Sequence, residues 1–184
     1  NYLQEELKSK NITNVEDIRT IKEQYQNCNI VNTDKICLWQ GDITKLKIAF
    51  AGVRLRLACN EIMKNLNYNL ETGKAIITNG YNLPSKYVIQ TVGPIIENKV
   101  VENKKEELAN CYKNSLKLAI DNGIRTIAFP CISTGVFRFP KELASIIALK
   151  TVDELITSYK DKIDKVVFNL WSDEDVKIYE KNIK

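Results

Sequence analysis

The spacing of apolar and polar residues changes period several times along this chain. Lys35-Ile36-Cys37-Leu38-Trp39-Gln40 is a short run that predicts a strand. Over residues 54–66, Leu55, Ala58, Ile62 and Leu66 fall on one face of a predicted helix, with Arg54 and Arg56 expected in solvent. Residues 73–78 and 87–92 read as two strands, separated by a turn at Asn82-Leu83-Pro84 and closed by Gly93-Pro94. Residues 102–122 place Leu108, Cys111, Tyr112, Ser115 and Ala119 at helical spacing, and Asn122-Gly123 stops that helix. Thr126-Ile127-Ala128-Phe129 reads as a buried strand that breaks into the small residues Ser133-Thr134-Gly135. Pro140 is expected to open a helix over 141–155, with Ala144, Ala148, Val152 and Leu155 inward. Residues 166–171 form a last predicted strand. Ser172 follows as a helix N-cap, with Asp173-Glu174-Asp175 complementing the helix dipole. Residues 1–26 are polar and helix-prone, with too few apolar positions for a second core.

Strands alternating with helices predict an α/β sandwich, in which ligands lie at the carboxyl ends of the strands. Asp42 in Gly41-Asp42-Ile43-Thr44, the loop 133–137 and Trp171 all fall at such ends. A strand, a small-residue loop and a helix in that order suit an anion, because backbone N–H groups can turn inward with no side chain in the way. An ordinary strand-to-helix turn fits the same spacing, and Asp42 by itself reads equally as a turn residue.

Composition narrows the classes. The 184 residues suit one domain with a small appendage, and 44% hydrophobic with 27% charged residues predicts a folded, soluble core. No apolar run reaches membrane-spanning length, so a membrane partner is not expected. The formal charge of +4 comes without a basic stripe, which disfavours nucleic acid as a partner. The five cysteines include no C-x-x-C pair and read as reduced thiols of a cytoplasmic protein. The chain contains no histidine, which removes the commonest general base and zinc ligand.

Five motifs then appear together and in order. They are Gly41-Asp42-Ile43-Thr44, Lys74-Ala75-Ile76-Ile77-Thr78, Tyr81-Asn82-Leu83-Pro84, Tyr87-Val88-Ile89-Gln90-Thr91-Val92-Gly93-Pro94 and Ile132-Ser133-Thr134-Gly135-Val136-Phe137. From about Trp39 onward the chain resembles a macrodomain, the ADP-ribose-binding module. Tyr2-Leu3-Gln4-Glu5-Glu6-Leu7, Ile21-Lys22-Glu23-Gln24-Tyr25 and Cys131 resemble features of the zinc-containing microbial branch, whose members remove ADP-ribose from proteins. The resemblance implies a three-layer α/β/α macrodomain with a mixed sheet over 35–184, preceded by a helical extension over 1–34. It implies that Asp42 accepts a hydrogen bond from the adenine amino group, with Ile43 beside it. Ser133, Thr134, Gly135, Val136 and Phe137 would wrap the diphosphate and distal ribose, and Asn169 and Trp171 would border the adenosine. The implied partner is ADP-ribose or a mono-ADP-ribosylated protein. The implied activity is hydrolysis of mono-ADP-ribose from side chains, with a non-catalytic reader of such proteins as the alternative.

The resemblance also exposes a departure. The family has a further central strand, an Asn-rich turn and a catalytic loop after the Gly41-Asp42-Ile43-Thr44 turn. In the zinc branch that loop carries Cys and His ligands. Here Lys45-Leu46-Lys47-Ile48 runs straight into Ala49-Phe50-Ala51-Gly52-Val53-Arg54. Zinc is therefore implied by the resemblance while its ligands are missing, and no catalytic residue is assigned. A true deletion would be expected to leave a gap of unpaired backbone in the sheet; the other possibility is an encoded segment that this sequence lacks.

Overall fold

A computed structural model of the chain describes the backbone of residues 35–39, 44–83 and 85–183, with side chains from Val53 onward. The expected extension over 1–34 lies outside the described residues, as do Asp42 and Ile43. The elements are β1 (Lys35–Trp39), α1 (Thr44–Asn65), β2 (Ala75–Asn79), β3 (Tyr87–Thr91), α2 (Glu102–Asp121), β4 (Thr126–Pro130), α3 (Lys141–Ser158), β5 (Lys165–Asn169) and α4 (Asp173–Asn182).

The strands form one sheet in the order β2-β3-β1-β4-β5. Only β2 is antiparallel to its neighbour, so the sheet is mixed, as expected. Alternation along β3 sends its side chains to opposite faces. Ile89 enters the main core with Leu108, Leu116, Ile127 and Phe129, while Val88 packs with Leu55 and Cys59 of α1. Helices α2, α3 and α4 cover the first face and α1 the second, which gives the three layers. Burying one large apolar side chain contributes roughly 1.5–3 kcal/mol. An aromatic ladder crosses the larger core, from Tyr112 to Phe129 (ring centroids 5.0 Å apart), to Phe168 (6.1 Å) and to Tyr179 (5.2 Å). The inward positions read from helical spacing hold in α2 and α3: Leu108, Cys111, Tyr112, Ser115 and Ala119, then Ala144, Ala148, Val152 and Leu155, are all buried.

The structure departs from the expected elements at one place that matters. The helix expected over 54–66 begins ten residues earlier and runs unbroken through Ile48 and Ala49. Nothing between Thr44 and Asn65 is a proline, and each added helical residue gains a backbone bond once the helix is nucleated. Leu66, expected on its inner face, lies beyond the helix end and is exposed. Nor do the described strands show the gap that a true deletion would be expected to leave. β1 pairs with β3 through Ile36↔Tyr87 to Trp39↔Gln90, and with β4 through Lys35↔Thr126 to Cys37↔Ala128. A central strand with neighbours on both sides leaves neither ladder unmet, and an empty slot would strand buried N–H and C=O groups. Across the second face, Gln90 Nε2 donates to Cys59 Sγ at 2.9 Å and ties β3 to α1.

Candidate functional site

The carboxyl ends of β1, β3, β4 and β5 share one edge of the sheet, since these four strands are parallel. The most constrained segment at that edge is 131–139, between β4 and α3. β4 is short and apolar, with Ile127 and Phe129 fully buried. Pro130 is its last residue, and a proline ring has no N–H with which to extend a ladder. Two buried side chains then hold the loop at its ends, Ile132 (0% exposed) and Phe139 (1% exposed).

Hydrogen bonds shape the chain between those anchors. Thr134 Oγ1 donates to the Cys131 carbonyl at 3.1 Å. The Phe139 N–H donates to the Ser133 carbonyl at 2.9 Å, and the Arg138 N–H to the Gly135 carbonyl at 3.0 Å. The Ile96 N–H, in the loop after β3, reaches the Phe137 carbonyl at 2.9 Å. Ser133 (φ +66°) and Arg138 (φ +58°) occupy the left-handed region, where a side-chain-bearing residue costs about 1–3 kcal/mol. Such a conformation persists only where the surroundings over-determine it, and at Ser133 it turns the following amides away from the β4 direction.

Among the described residues, the N–H groups of Thr134, Gly135, Val136 and Phe137 donate to no protein acceptor. Gly135 is exposed, and a Cβ built on it would meet nothing within 4 Å. Val136 is 89% exposed. The loop thus leaves four consecutive backbone donors without an acceptor among the described residues, with open space at Gly135, and such a run of amides suits a phosphate.

The neighbouring connection, between β5 and α4, lies alongside through the pairing of Pro130 with Asn169. Asn169 is exposed, and Trp171 is 90% exposed beyond the strand's end. Burial, reinforced by the charge of Asp175, pushes the Cys131 thiol up to about 11, so it stays protonated at neutral pH and is a poor nucleophile. Ser172 caps α4, accepting from the Asp175 N–H at 3.2 Å and donating from Oγ to Asp175 Oδ2 at 2.7 Å. Lys141, at the start of α3, bonds Glu174 and also reaches Asp175 Oδ1 at 3.0 Å. The acids after Ser172 therefore serve the helix terminus, as their position in the sequence suggests.

Gly135 and Val136 are exposed and Thr134 and Phe137 half-buried, whereas Ser133 is buried beneath them; Asn169 and Trp171 follow in the neighbouring connection. Asp42 and Ile43 have no described position, although β1 ends at the same edge. Pro140 is the N-cap of α3 and not its first helical residue; its extended ψ of 124° places the helix start at Lys141. Two contacts escaped sequence reasoning. Ile96 supports the loop from another connection, and Tyr112 accepts the Ile132 N–H from α2. Both join residues 20 or more positions apart, so no local pattern signals them. A metal centre does not fit the described donors. No three Cys, Asp or Glu side chains converge among them, and histidine is absent from the sequence.

Comparison with known proteins agrees with this geometry. The chain is 42% identical over 173 residues to the ADP-ribose glycohydrolase MACROD2 of Homo sapiens, covering 82% of this chain and 40% of that protein. It is 36% identical over 208 residues to a protein-ADP-ribose hydrolase of Treponema medium, covering 98% of this chain and 77% of that protein. The latter match is longer than the 184 residues here, so 24 or more aligned positions have no residue of this chain opposite them. The chain spans less than half the length of the MACROD2 relatives it matches. Among solved structures, the Oceanobacillus iheyensis macrodomain with ADP superposes with a TM-score of 0.73 at 37% identity, covering 82% of each chain. The family model of the Macro domain matches residues 28–148, and with the mixed three-layer fold and the open loop after β4 this establishes that the chain belongs to the macrodomain family.

Proposed function

We propose that this chain binds ADP-ribose at the carboxyl edge of its sheet and hydrolyses mono-ADP-ribose from modified protein side chains. The observation that carries the binding is the set of amides at residues 134–137 that have no acceptor among the described residues, with open space at Gly135. Neutral amides can hold a diphosphate without a lysine or arginine, since each N–H directs partial positive charge at an oxygen. Trp171, exposed beside that loop, offers a ring face to the adenosine, and Asp42 is the proposed acceptor for the adenine amino group. The hydrolase reading is supported by relatives that are named as ADP-ribose hydrolases.

Hydrolysis requires a water oxygen to bond to C1″ of the distal ribose while the bond to the protein side chain breaks and that side chain leaves with a proton. This chain's loop contributes orientation, holding the diphosphate so that the distal ribose is fixed. The donors present do not fit the zinc that the resemblance implies, and no step is routed through a metal. A second reading, a reader that binds without turnover, is favoured by one observation: α1 runs without interruption through Ile48–Ala49, where the family's catalytic loop would begin. The cytoplasmic setting stays part of this proposal and rests on the sequence, whose five cysteines include no C-x-x-C pair. No helix among the described residues is long and apolar enough to cross a membrane.

Calorimetry with ADP-ribose, followed by incubation with a mono-ADP-ribosylated protein, separates these readings. Binding with release of ADP-ribose supports the hydrolase. Binding without release makes the chain a reader, and no binding overturns both.

A further inference from the structure

We propose that Tyr112 is a positioning residue for the diphosphate, its hydroxyl holding the Ile132 amide near the start of the loop after β4 and so directing the amides that follow toward the ligand. The inference rests on the ADP-ribose reading of that loop. Tyr112 lies on α2, fully buried, with its ring against Phe129 of β4. Its hydroxyl oxygen accepts the Ile132 N–H at 3.4 Å, a long bond between two groups with no water to compete for either. Ile132 is itself fully buried, so its N–H has no solvent alternative.

The next residue, Ser133, adopts a left-handed conformation, and its carbonyl accepts the Phe139 N–H. One end of the loop is thus tied to α2 through Tyr112 and the other to the core through Phe139. The unpartnered amides of 134–137 lie between these two ties. Affinity for a diphosphate depends on those amides being oriented before the ligand arrives, because ordering them afterwards costs affinity. The hydroxyl is separable from the ring. The ring stacks in the aromatic ladder and would do so as phenylalanine, whereas the hydroxyl meets the loop. Burial pushes the Tyr112 phenol well above its ordinary range, so it remains protonated throughout the physiological range.

The test is Tyr112→Phe in the full chain, titrated with ADP-ribose, ADP and adenosine. The expected result is a loss of about tenfold in affinity for ADP-ribose and for ADP, with adenosine affinity unchanged. Equal loss for all three ligands would mean a general structural role and would overturn the proposal. Unchanged ADP-ribose affinity in the variant would also overturn it. Failure of the parent protein to bind ADP-ribose would instead remove the function reading. If the variant does not fold, amide exchange in the parent protein decides. Slow exchange at Ile132 without ligand, with Thr134 to Phe137 protected only once ADP-ribose is added, supports the proposal. An Ile132 amide that exchanges as fast as those four overturns it.

Discussion

Two strand–loop–helix connections lie side by side at the same edge of the sheet, and they differ in capping and in charge. Between β5 and α4, Ser172 accepts the Asp175 N–H, and three acids occupy the first helical turn. The helix start there is capped by a side chain, and the local charge is negative. Between β4 and α3, Pro140 caps the helix with no side-chain hydrogen bond, and four loop amides have no acceptor among the described residues. Both connections have a strand before them and a helix after them, so the secondary-structure pattern alone does not separate them. An anion is attracted to the connection whose donors are left over and repelled by the one already furnished with carboxylates. Lys141 sharpens the contrast. Its ammonium is bound by Glu174 and Asp175, so the positive character of the open loop comes from its amides and from Arg138 within it.

The contrast can be broken most sharply at Gly135. Replacing Gly135 with Glu puts a carboxylate into the open space in front of the amides, and ADP-ribose affinity is expected to fall roughly 100-fold or more. The midpoint of thermal unfolding should not move, because nothing lies within 4 Å of the new Cβ. Calorimetry and a melting curve check both halves. A variant that binds normally would mean the diphosphate sits elsewhere.

The capped connection should respond in the opposite manner. Ser172→Ala removes the N-cap of α4 and is expected to cost about 1 kcal/mol, lowering the unfolding midpoint by about 2–4 °C. ADP-ribose affinity should stay the same. Loss of affinity at unchanged stability would show that the two connections are not independent.

A smaller effect concerns pH. Burial opposes ionisation of Asp175, but hydrogen bonds from Ser172 and Lys141 outweigh it and hold the carboxyl below its ordinary range. A lowered folded-state value means that Asp175 stabilises the fold above the unfolded-state value near about pH 4. That contribution is lost as pH falls through the lower, folded-state value. Denaturant unfolding at a series of pH values should therefore show a shallower acid limb for Asp175→Asn than for the parent protein. Identical limbs would remove Asp175 from the acid response.

The mildest variant is Trp171→Ala. With 90% of the side chain exposed, stability should change by less than about 0.5 kcal/mol. Loss of ring stacking on the adenosine should weaken ADP-ribose about three- to tenfold. Equal affinities would take Trp171 out of the site.

Several features of this fold are carried by short-range pattern. The apolar run at 126–129, the helical spacing of Leu108, Cys111, Tyr112, Ser115 and Ala119, and the Asn122-Gly123 stop are each local, and each appears where the spacing places it. Gly123 adopts the φ of +66° that a helix stop requires. The Ser172 cap is likewise local, because an oxygen three residues before an amide reaches it whatever the rest of the chain does. The loop 133–137 was recognisable by its small residues and its place between strand and helix. The union of α1 across Ile48–Ala49 was not, because the resemblance to other macrodomains splits that stretch while helix propagation joins it.

What the sequence by itself determined is most of the elements, their alternation and the small-residue loop after β4, which follow from periodicity and from residues within a turn of one another. The mixed sheet and the loop's role were implied by the family resemblance. Only the tertiary structure decided that β1 fills the centre of the sheet, that Tyr112 and Ile96 hold the loop, and that its amides remain without partners. Those outcomes depend on hydrogen bonds and burial between residues far apart in sequence, where the loss of one buried partner outweighs any local preference.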